Sequence, residues 1–395
     1  MSTVGLLGAS AFQKPLLDVL LQEGHEVVVF SPRGPYPLLT GPHRTAYIDV
    51  RDVDALHAHA REVGIDFFVT DQTDLPIATI HALHERMGRP HLPTEVVSRF
   101  TDKRAMRAHG QSCGLATPRW QQVSDVAELD AFWTSTGHRI VVKPPDSQGS
   151  RGVGIGHPGQ LPAMFSEAKR FSASGSVLVE SFIEGVEVPV EGCVVSGQYR
   201  TLAIGERQDF AGARGIPAKA TYRPYDSENP AHSALDSVVR TYVERSGVEN
   251  GITHAELMLT ASNEATLVEI ALRGGASFIS SHIVPAVSGF QAGLHLVRSF
   301  SGAPIDPMPN RTNTGHTAGF HYFWSEHPLT AHELEGLQSL PDVLAAHLPE
   351  PDAAHHPGLP RHKPDRLGPI TALHTSRHLD ALAQFSMRHP HIHFA

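Results

Sequence analysis

Near the start of the chain, short apolar runs alternate with stretches of helical spacing. Val4-Gly5-Leu6-Leu7-Gly8 is an apolar run ending at glycine, and Pro15-Leu16-Leu17 with Val19-Leu20-Leu21 carries a helical repeat. After Gly24 comes the strand pattern Glu26-Val27-Val28-Val29-Phe30, then a short strand between His43 and Val50, a helix from Ala55 to Val63, and a strand over Asp66-Phe67-Phe68-Val69-Thr70. This rhythm predicts a parallel sheet covered by helices. The glycine closing the first run marks either a ligand crevice or a plain tight turn; GLLGAS is not GxGxxG and supports no dinucleotide site.

Thr101-Asp102-Lys103 reads as a helix start, with Thr101 or Asp102 capping free amides and an apolar–polar repeat running to Ala108. Leu115 to Pro118 turns the chain. Beyond it the pattern becomes β-rich, at Arg139 to Lys143, Val177 to Glu180, Glu187 to Gly192, Ala255 to Leu259 and Thr266 to Ile270, which predicts an antiparallel sheet. Leu348 to Pro369 is rich in proline and histidine and reads as a surface loop or linker. A last β-α-β piece follows: Pro369 to Leu373, a helix from Ser376, and His391 to Phe394. No internal repeat is present.

The length of 395 residues suggests two or three domains, and 41 % hydrophobic with 18 % charged residues is ordinary for a globular protein. Cys113 and Cys193 lack CxxC spacing and read as reduced thiols, and the opening MSTVGLLGASAF has no signal-peptide pattern. No window nears the roughly 18 apolar residues of a membrane span. A net charge of −9 without a basic run argues against nucleic acid. These features predict a cytoplasmic protein that binds neither membrane nor nucleic acid. The late histidines, His355-His356 and His389 to His393, lack acidic or cysteine neighbours and are a poor metal set.

Three segments carry candidate chemistry. In Val141-Val142-Lys143-Pro144-Pro145-Asp146-Ser147-Gln148-Gly149-Ser150-Arg151-Gly152 a strand delivers a lysine and opens into a Gly/Ser loop. Backbone amides at such glycines approach phosphate closely, and the lysine adds charge; it is not a Walker loop, because the lysine precedes the glycines. The alternative is a flexible surface loop. In Val177 to Glu187, Glu180 ends a strand, a short linker follows, and Glu187 offers an acceptor for ribose hydroxyls; taken alone, a strand followed by a solvated acidic turn is the better explanation. Glu256 and Glu269 lie in neighbouring β-rich stretches, where two inward carboxylates need a cation between them, Mg²⁺ being the natural one; Arg273 follows and suits a developing oxyanion. The alternative is two independent strand carboxylates.

In this order and spacing the segments resemble the ATP-grasp superfamily over Gly5 to about Ser281. The resemblance implies an α/β (α+β) fold: a parallel-sheet pre-ATP-grasp domain over 1–100, a two-lobed ATP-binding region over 101–300 with a lid at about 115–190, and a C-terminal α+β subdomain over 301–395. It places Lys103 and Lys143 on ATP phosphates, with Ser147, Gly149, Ser150 and Gly152 in the glycine loop. It places Glu180, Ser181, Phe182 and Glu187 around adenine and ribose, Glu256 and Glu269 on Mg²⁺, and Arg273 and Lys143 in catalysis. The runs KPPDSQGSRGVG and EIALRGG look most like carboxylate–amine ligases, with carboxylase-like relatives close. The implied reaction activates a small carboxylic or amino acid as an acyl phosphate and passes it to an amine, within a homodimer as in many relatives. Bicarbonate as the acid, or an ATP-binding protein without catalysis, are the rival readings. Many relatives carry Asn where this chain has Ala271, which bears on a second Mg²⁺. Arg207 to Tyr225, with Gly212, Arg214, Gly215, Pro217 and Lys219, is the candidate for a mobile substrate loop, and Ser277, Ser280, Ser281 and His282 are candidates for an acid pocket.

Overall fold

The computed structural model describes residues 1–137, 139–147, 149, 151–309, 313–360 and 363–395, the side chain of 214 aside. Ser150, placed in the glycine loop above, lies outside the described residues, as does Gln148.

Three sheets organise the chain. The first contains β1 (Thr3–Leu7), β2 (Glu26–Phe30), β3 (Arg44–Ala46) and β4 (Phe67–Val69), all parallel in the order β3-β2-β1-β4. Its strands are apolar nearly throughout because helices cover them: β1 and β4 are buried almost end to end. Helix Val53–Val63 is capped by Asp52, which accepts from the Ala55 amide, and is stopped by Gly64 at φ 75°. The loop after β4 leaves the carboxyl end of this sheet, where ligand crevices form in open parallel sheets.

The second sheet is antiparallel, in the order β5-β8-β6-β7: β5 (Trp120–Val123), β6 (Ile140–Lys143), β7 (Gly154–Gly156) and β8 (Val177–Ser181). Helices Val126–Thr136 and Leu161–Phe171 close over it around a core of its own, including Leu129, Phe132, Ile140, Val142, Phe165 and Val179.

Among the described residues the third sheet has nine strands. Its path runs β13 (Ala265–Ala271), β12 (Gly251–Leu259), β9 (Val186–Val195), β10 (Gln198–Phe210), β11 (Ala213–Pro224), β14 (Ala318–Ser325), β16 (Leu367–Leu373) and β15 (Val343–Ala346), with β17 (Ile392–Phe394) paired to β14. The strands after residue 300 therefore extend the same sheet through β11 and β14. Arg207 to Tyr225 is not a mobile loop: it lies mostly within the paired strands β10 and β11, Ala203 opposite Pro224 and Arg207 opposite Ala220. Ala218, Ala220 and Tyr222 alternate into the core, and that burial holds the segment in the sheet.

Four histidines sit in this frame as neutral rings. Burial holds His81 and His321 down at about 3 and His84 and His374 at about 4. His84 shows why: its Nε2 accepts the Phe68 amide at 2.8 Å while Nδ1 donates to the Pro90 carbonyl at 2.9 Å, a tautomer that protonation destroys. An unfolded chain takes up protons below about 6.5, where these rings refuse them. Stability therefore falls as pH drops from about 6.5 towards 4, by up to roughly 1.4 kcal/mol per pH unit per histidine. Urea midpoints measured between pH 7.5 and 4.5 are expected to fall steeply, with a shallower slope in His321→Asn; a flat profile would contradict these burials. His254, held up at about 9, acts oppositely: its stabilisation is complete below about 6.5 and is lost as pH rises through 9.

Candidate functional site

The antiparallel pairing of β6 and β8 sets Val141 opposite Glu180, so Lys143, two residues along, shares a face with Glu180. The Lys143 Nζ is 2.7 Å from Glu180 Oε2. Helix Lys103–Ser112 brings Arg107 to the same carboxylate, Nε to Oε1 at 2.8 Å and Nη2 to Oε2 at 3.2 Å, while Nη2 also donates to the Val268 carbonyl at 2.6 Å. All three are buried: Lys143 is 5 %, Glu180 3 % and Arg107 1 % exposed. Burial works to raise the Glu180 carboxyl, but Lys143 and Arg107 outweigh it and hold it at about 2. Burial pulls Lys143 down to about 8 despite Glu180, with Arg107 and Lys103 repelling its charge.

Asp102 caps the same helix, accepting from the Arg104 amide at 2.8 Å, and so points Lys103 inward. The Lys103 Nζ is 2.9 Å from Glu269 Oε1 and donates to the Ser147 carbonyl at 2.8 Å; its backbone amide donates to the Pro145 carbonyl at 3.0 Å. Burial opposes the Lys103 charge, but Glu269 outweighs it and raises its pKa. The helix start and the glycine loop are thus one unit. Asp146 ties the loop's base to the turn before β8, accepting from the Ala173 and Ser174 amides at 3.1 and 2.7 Å. Gly149 and Gly152 adopt φ 66° and 73°, which favours glycine at both positions.

Ser181 ends β8 and Phe182 begins the linker to β9. The Ser181 Oγ accepts the Arg119 amide at 3.0 Å, the Phe182 amide donates to the Arg139 carbonyl at 3.0 Å, and the Arg139 guanidinium lies 4.3 Å from the Phe182 ring centroid. Glu187 on β9 pairs with Arg207, which also holds Asp209 at 3.2 Å.

Glu256 and Glu269 stand directly opposite each other in the β12–β13 pairing, so their side chains share one face. Glu269 meets Lys103; Glu256 lies 3.8 Å from the Nε2 of His254, two residues back on its own strand. His254 is also opposite Glu191 of β9 and donates through Nδ1 to Glu191 Oε1 at 2.5 Å. Burial opposes protonation of this imidazole, but Glu191 outweighs it and lifts its pKa to about 9. Burial would raise the Glu256 carboxyl; His254, Arg207 and Lys363 instead hold it well below the usual range. Two opposed carboxylates fit a hard divalent cation that completes its shell on phosphate oxygens. Among the described residues no group of three or more His, Cys, Asp or Glu could hold a metal ion by itself. Ala271 is buried, opposite His254.

Arg273 begins the loop after β13. Its Nε and Nη2 each bond Asp74 at 2.8 Å, in the segment after β4. Burial opposes its charge, and Asp74 more than restores it. The Gly274 amide donates to Asp71 Oδ1 at 2.9 Å and Ser280 Oγ to Asp71 Oδ2 at 2.5 Å, while the Gly275 amide donates to Glu191 Oε2 at 3.2 Å. A Cβ on Gly274 would sit 2.0 Å from the Ser280 Cβ, so only glycine fits. Ser277 and Phe278 hold φ 63° and 62°, unusual for side-chain-bearing residues and a mark of functional loops. Of the acid-pocket candidates, Ser280 is taken by Asp71, Ser277 meets the Tyr322 hydroxyl at 2.7 Å, and Ser281 meets His282 at 2.9 Å.

The structure therefore joins Lys103, Ser147 and Glu269 in one set of contacts and Lys143, Glu180 and Arg107 in another, with Glu256 directly across from Glu269. Glu187 and Arg273 each close a separate ion pair. Sequence reasoning missed Arg107, Glu191, His254, Asp71 and Asp74. His254 alone left a local trace, its spacing of two from Glu256 on a strand.

Residues 136–281 match the family model of the ATP-grasp domain. The chain is 25 % identical over 247 residues to D-alanine–D-alanine ligase of Cupriavidus taiwanensis, covering 59 % of this chain and 73 % of that one. It is 27 % identical over 184 residues to formate-dependent phosphoribosylglycinamide formyltransferase of Corynebacterium jeikeium, covering 45 % of this chain and 44 % of that one, so it spans less than half of that relative. Its fold superposes on the crystal structure of an L-amino acid ligase from Bacillus licheniformis with a TM-score of 0.82 at 18 % identity, covering 100 % of this chain and 98 % of that chain. Among the described residues, no helix is long and apolar enough to cross a membrane. Residues 136–281 thus carry an ATP-grasp domain, and the chain is similar in sequence to D-alanine–D-alanine ligase and in fold to an L-amino acid ligase.

Proposed function

We propose that this enzyme uses ATP to convert a small carboxylic or amino acid into an acyl phosphate, then couples it to an amine, releasing ADP and phosphate. The observation that carries the reading is the opposed pair Glu256 and Glu269, with Lys103 bridging from Glu269 to the glycine loop. Two of the relatives are named as amino-acid ligases and a third as a formate-dependent formyltransferase, which supports an acid as the activated group without naming it.

In this reading Lys103 and Lys143 sit on the triphosphate, the loop through Ser147, Gly149 and Gly152 lends its amides, and the linker Ser181 to Glu187 holds adenine and ribose. Glu256 and Glu269 would hold Mg²⁺, which neutralises phosphate charge when bound. The acid's carboxylate oxygen attacks the γ-phosphorus in line, the bond from that phosphorus to the β-bridging oxygen breaks, and ADP leaves. The amine nitrogen then attacks the acyl carbon, the acyl–oxygen bond breaks, phosphate departs, and the nitrogen gives up a proton. Arg273, fixed by Asp74, supplies positive charge where these oxyanions develop. The acyl phosphate must be kept from water, which hydrolyses it.

ADP release with Mg²⁺–ATP, measured against organic acids, amino acids and bicarbonate, alone and paired with amines, tests the reading. Turnover requiring an acid and an amine is expected. Turnover with bicarbonate in place of every organic acid would move the enzyme to the carboxylase side.

A further inference from the structure

His254 takes no part in the chemistry above, yet it stands in the middle of a line of polar groups that crosses three strands. On β12 it is two residues from Glu256, so both side chains lie on one face. Across to β9 it is opposite Glu191, and across to β13 Glu256 is opposite Glu269. Its Nδ1 donates to Glu191 Oε1 at 2.5 Å, and its Nε2 lies 3.8 Å from Glu256 Oε1. The second Glu191 oxygen accepts the Gly275 amide at 3.2 Å, in the loop that Arg273 begins. Beyond Glu269 the line continues through Lys103 to the Ser147 carbonyl of the glycine loop.

The surroundings of the ring define what it can do. Both nitrogens face carboxylate oxygens, and an ionised carboxylate only accepts, so both nitrogens are donors. The bond to Glu191 is short and buried, Glu191 being 2 % exposed, and it sets the plane of the ring. Ala271, opposite His254 on β13, has no polar side-chain group to offer it. The contact to Glu256 is too long for a hydrogen bond, so it draws that carboxylate by charge and leaves its lone pairs to a cation. Glu191 offsets the charge of the ring, which keeps the pair from repelling a cation on Glu256 and Glu269. Gly275 closes over the pair: a Cβ there would lie 2.8 Å from Glu191 Oε1, 2.9 Å from Ile279 Cδ1 and 3.0 Å from His254 Nδ1. Groups that orient a metal ligand from behind are worth about 10–100-fold in metal affinity.

We propose that His254 is a positioning residue: clamped by Glu191, it holds Glu256 turned toward Glu269 for a divalent cation, and through Glu191 and the Gly275 amide it ties that cation site to the Arg273 loop. This rests on the reading of Glu256 and Glu269 as the Mg²⁺ carboxylates. The competing role is structural, the imidazole serving only to neutralise two neighbouring acids.

The two ring nitrogens separate these roles. Asparagine places an amide N–H where Nδ1 stands and keeps the Glu191 bond; glutamine places one where Nε2 stands and keeps the contact to Glu256. Mn²⁺ is titrated into the full chain with a non-hydrolysable ATP analogue, free Mn²⁺ is read by electron paramagnetic resonance, and the metal-free Tm of each variant is recorded. His254→Gln is expected to bind Mn²⁺ about tenfold more tightly than His254→Asn, although His254→Asn keeps the buried bond and has the higher Tm. Equal Mn²⁺ affinities, or affinities that follow the order of Tm, overturn the positioning role. Gly275→Ala removes no charge and decides the matter if either variant fails to fold. Its methyl group wedges against Glu191 and His254, and it is expected to lose about tenfold in Mn²⁺ affinity. An unchanged affinity in Gly275→Ala overturns the proposal. Glu256→Gln tells the two readings apart. Full Mn²⁺ affinity there removes the metal assignment and the proposal with it. Lost affinity there, with equal affinities in the two position-254 variants, removes the positioning role alone.

Discussion

Replacing Glu180 by alanine is expected to cost the folded protein about 3–5 kcal/mol, the largest stability effect of any single change at this site. The cost comes from what stays behind. Lys143 and Arg107 both lean on this carboxylate, both are nearly fully buried, and among the described residues no other ion pair holds either of them. Their charges would remain buried without a partner. Glu180→Gln keeps the shape and a hydrogen-bond acceptor but not the charge, and is expected to fall between wild type and Glu180→Ala. Denaturant titrations of the three proteins check the order. Equal midpoints for wild type and Glu180→Ala would mean that the carboxylate carries no structural load and is free to serve the nucleotide.

Replacing Lys143 by methionine is expected to leave a folded protein with about 10²–10³-fold lower kcat/KM for ATP, the usual loss when one positioned charge is removed from a phosphoryl-transfer site. Folding survives because Arg107 still pairs with both oxygens of Glu180. The same lysine sets a pH signature. In the free protein it loses its proton near pH 8, and a triphosphate binds the charged form. The apparent KM for ATP is therefore expected to rise as pH increases through about 8, with proton uptake on binding above that pH, and the trend is expected to vanish in Lys143→Met. An ATP KM that is flat from pH 7 to 9.5 would show that this amine does not touch the phosphates.

How much of this was readable beforehand depended on distance along the chain. The Asp102 cap, the strand that delivers Lys143 and the glycines at positive φ are each set within a few residues, and periodicity, capping and turn chemistry register them. Glu256 and Glu269 stood out because two strands joined by a tight turn place their acids in register. The partners that make these groups work come from far away: Arg107 lies 73 positions from Glu180, His254 63 from Glu191, and Arg273 199 from Asp74. No local pattern encodes those pairings. Arg207 to Tyr225 was misread as a loop because its glycines and cations suggested mobility. The alternation of Ala218, Ala220 and Tyr222 into the core was the stronger signal, and it makes the segment half of a long hairpin. The stretch before β16 read as a linker, yet it carries Arg366 onto the Tyr322 ring of β14, which only the pairing of β16 with β14 determines.

The central claim is that a carboxylate is activated by taking a phosphoryl group. The most direct measurement follows oxygen. The acids are supplied with ¹⁸O in both carboxylate oxygens, together with Mg²⁺–ATP and a panel of amines, and the products are read by mass spectrometry. The account predicts ADP as the nucleotide product and one ¹⁸O carried into the released phosphate for every amide formed. Release of AMP with label in its phosphate, or amide formed while the phosphate stays unlabelled, would contradict it.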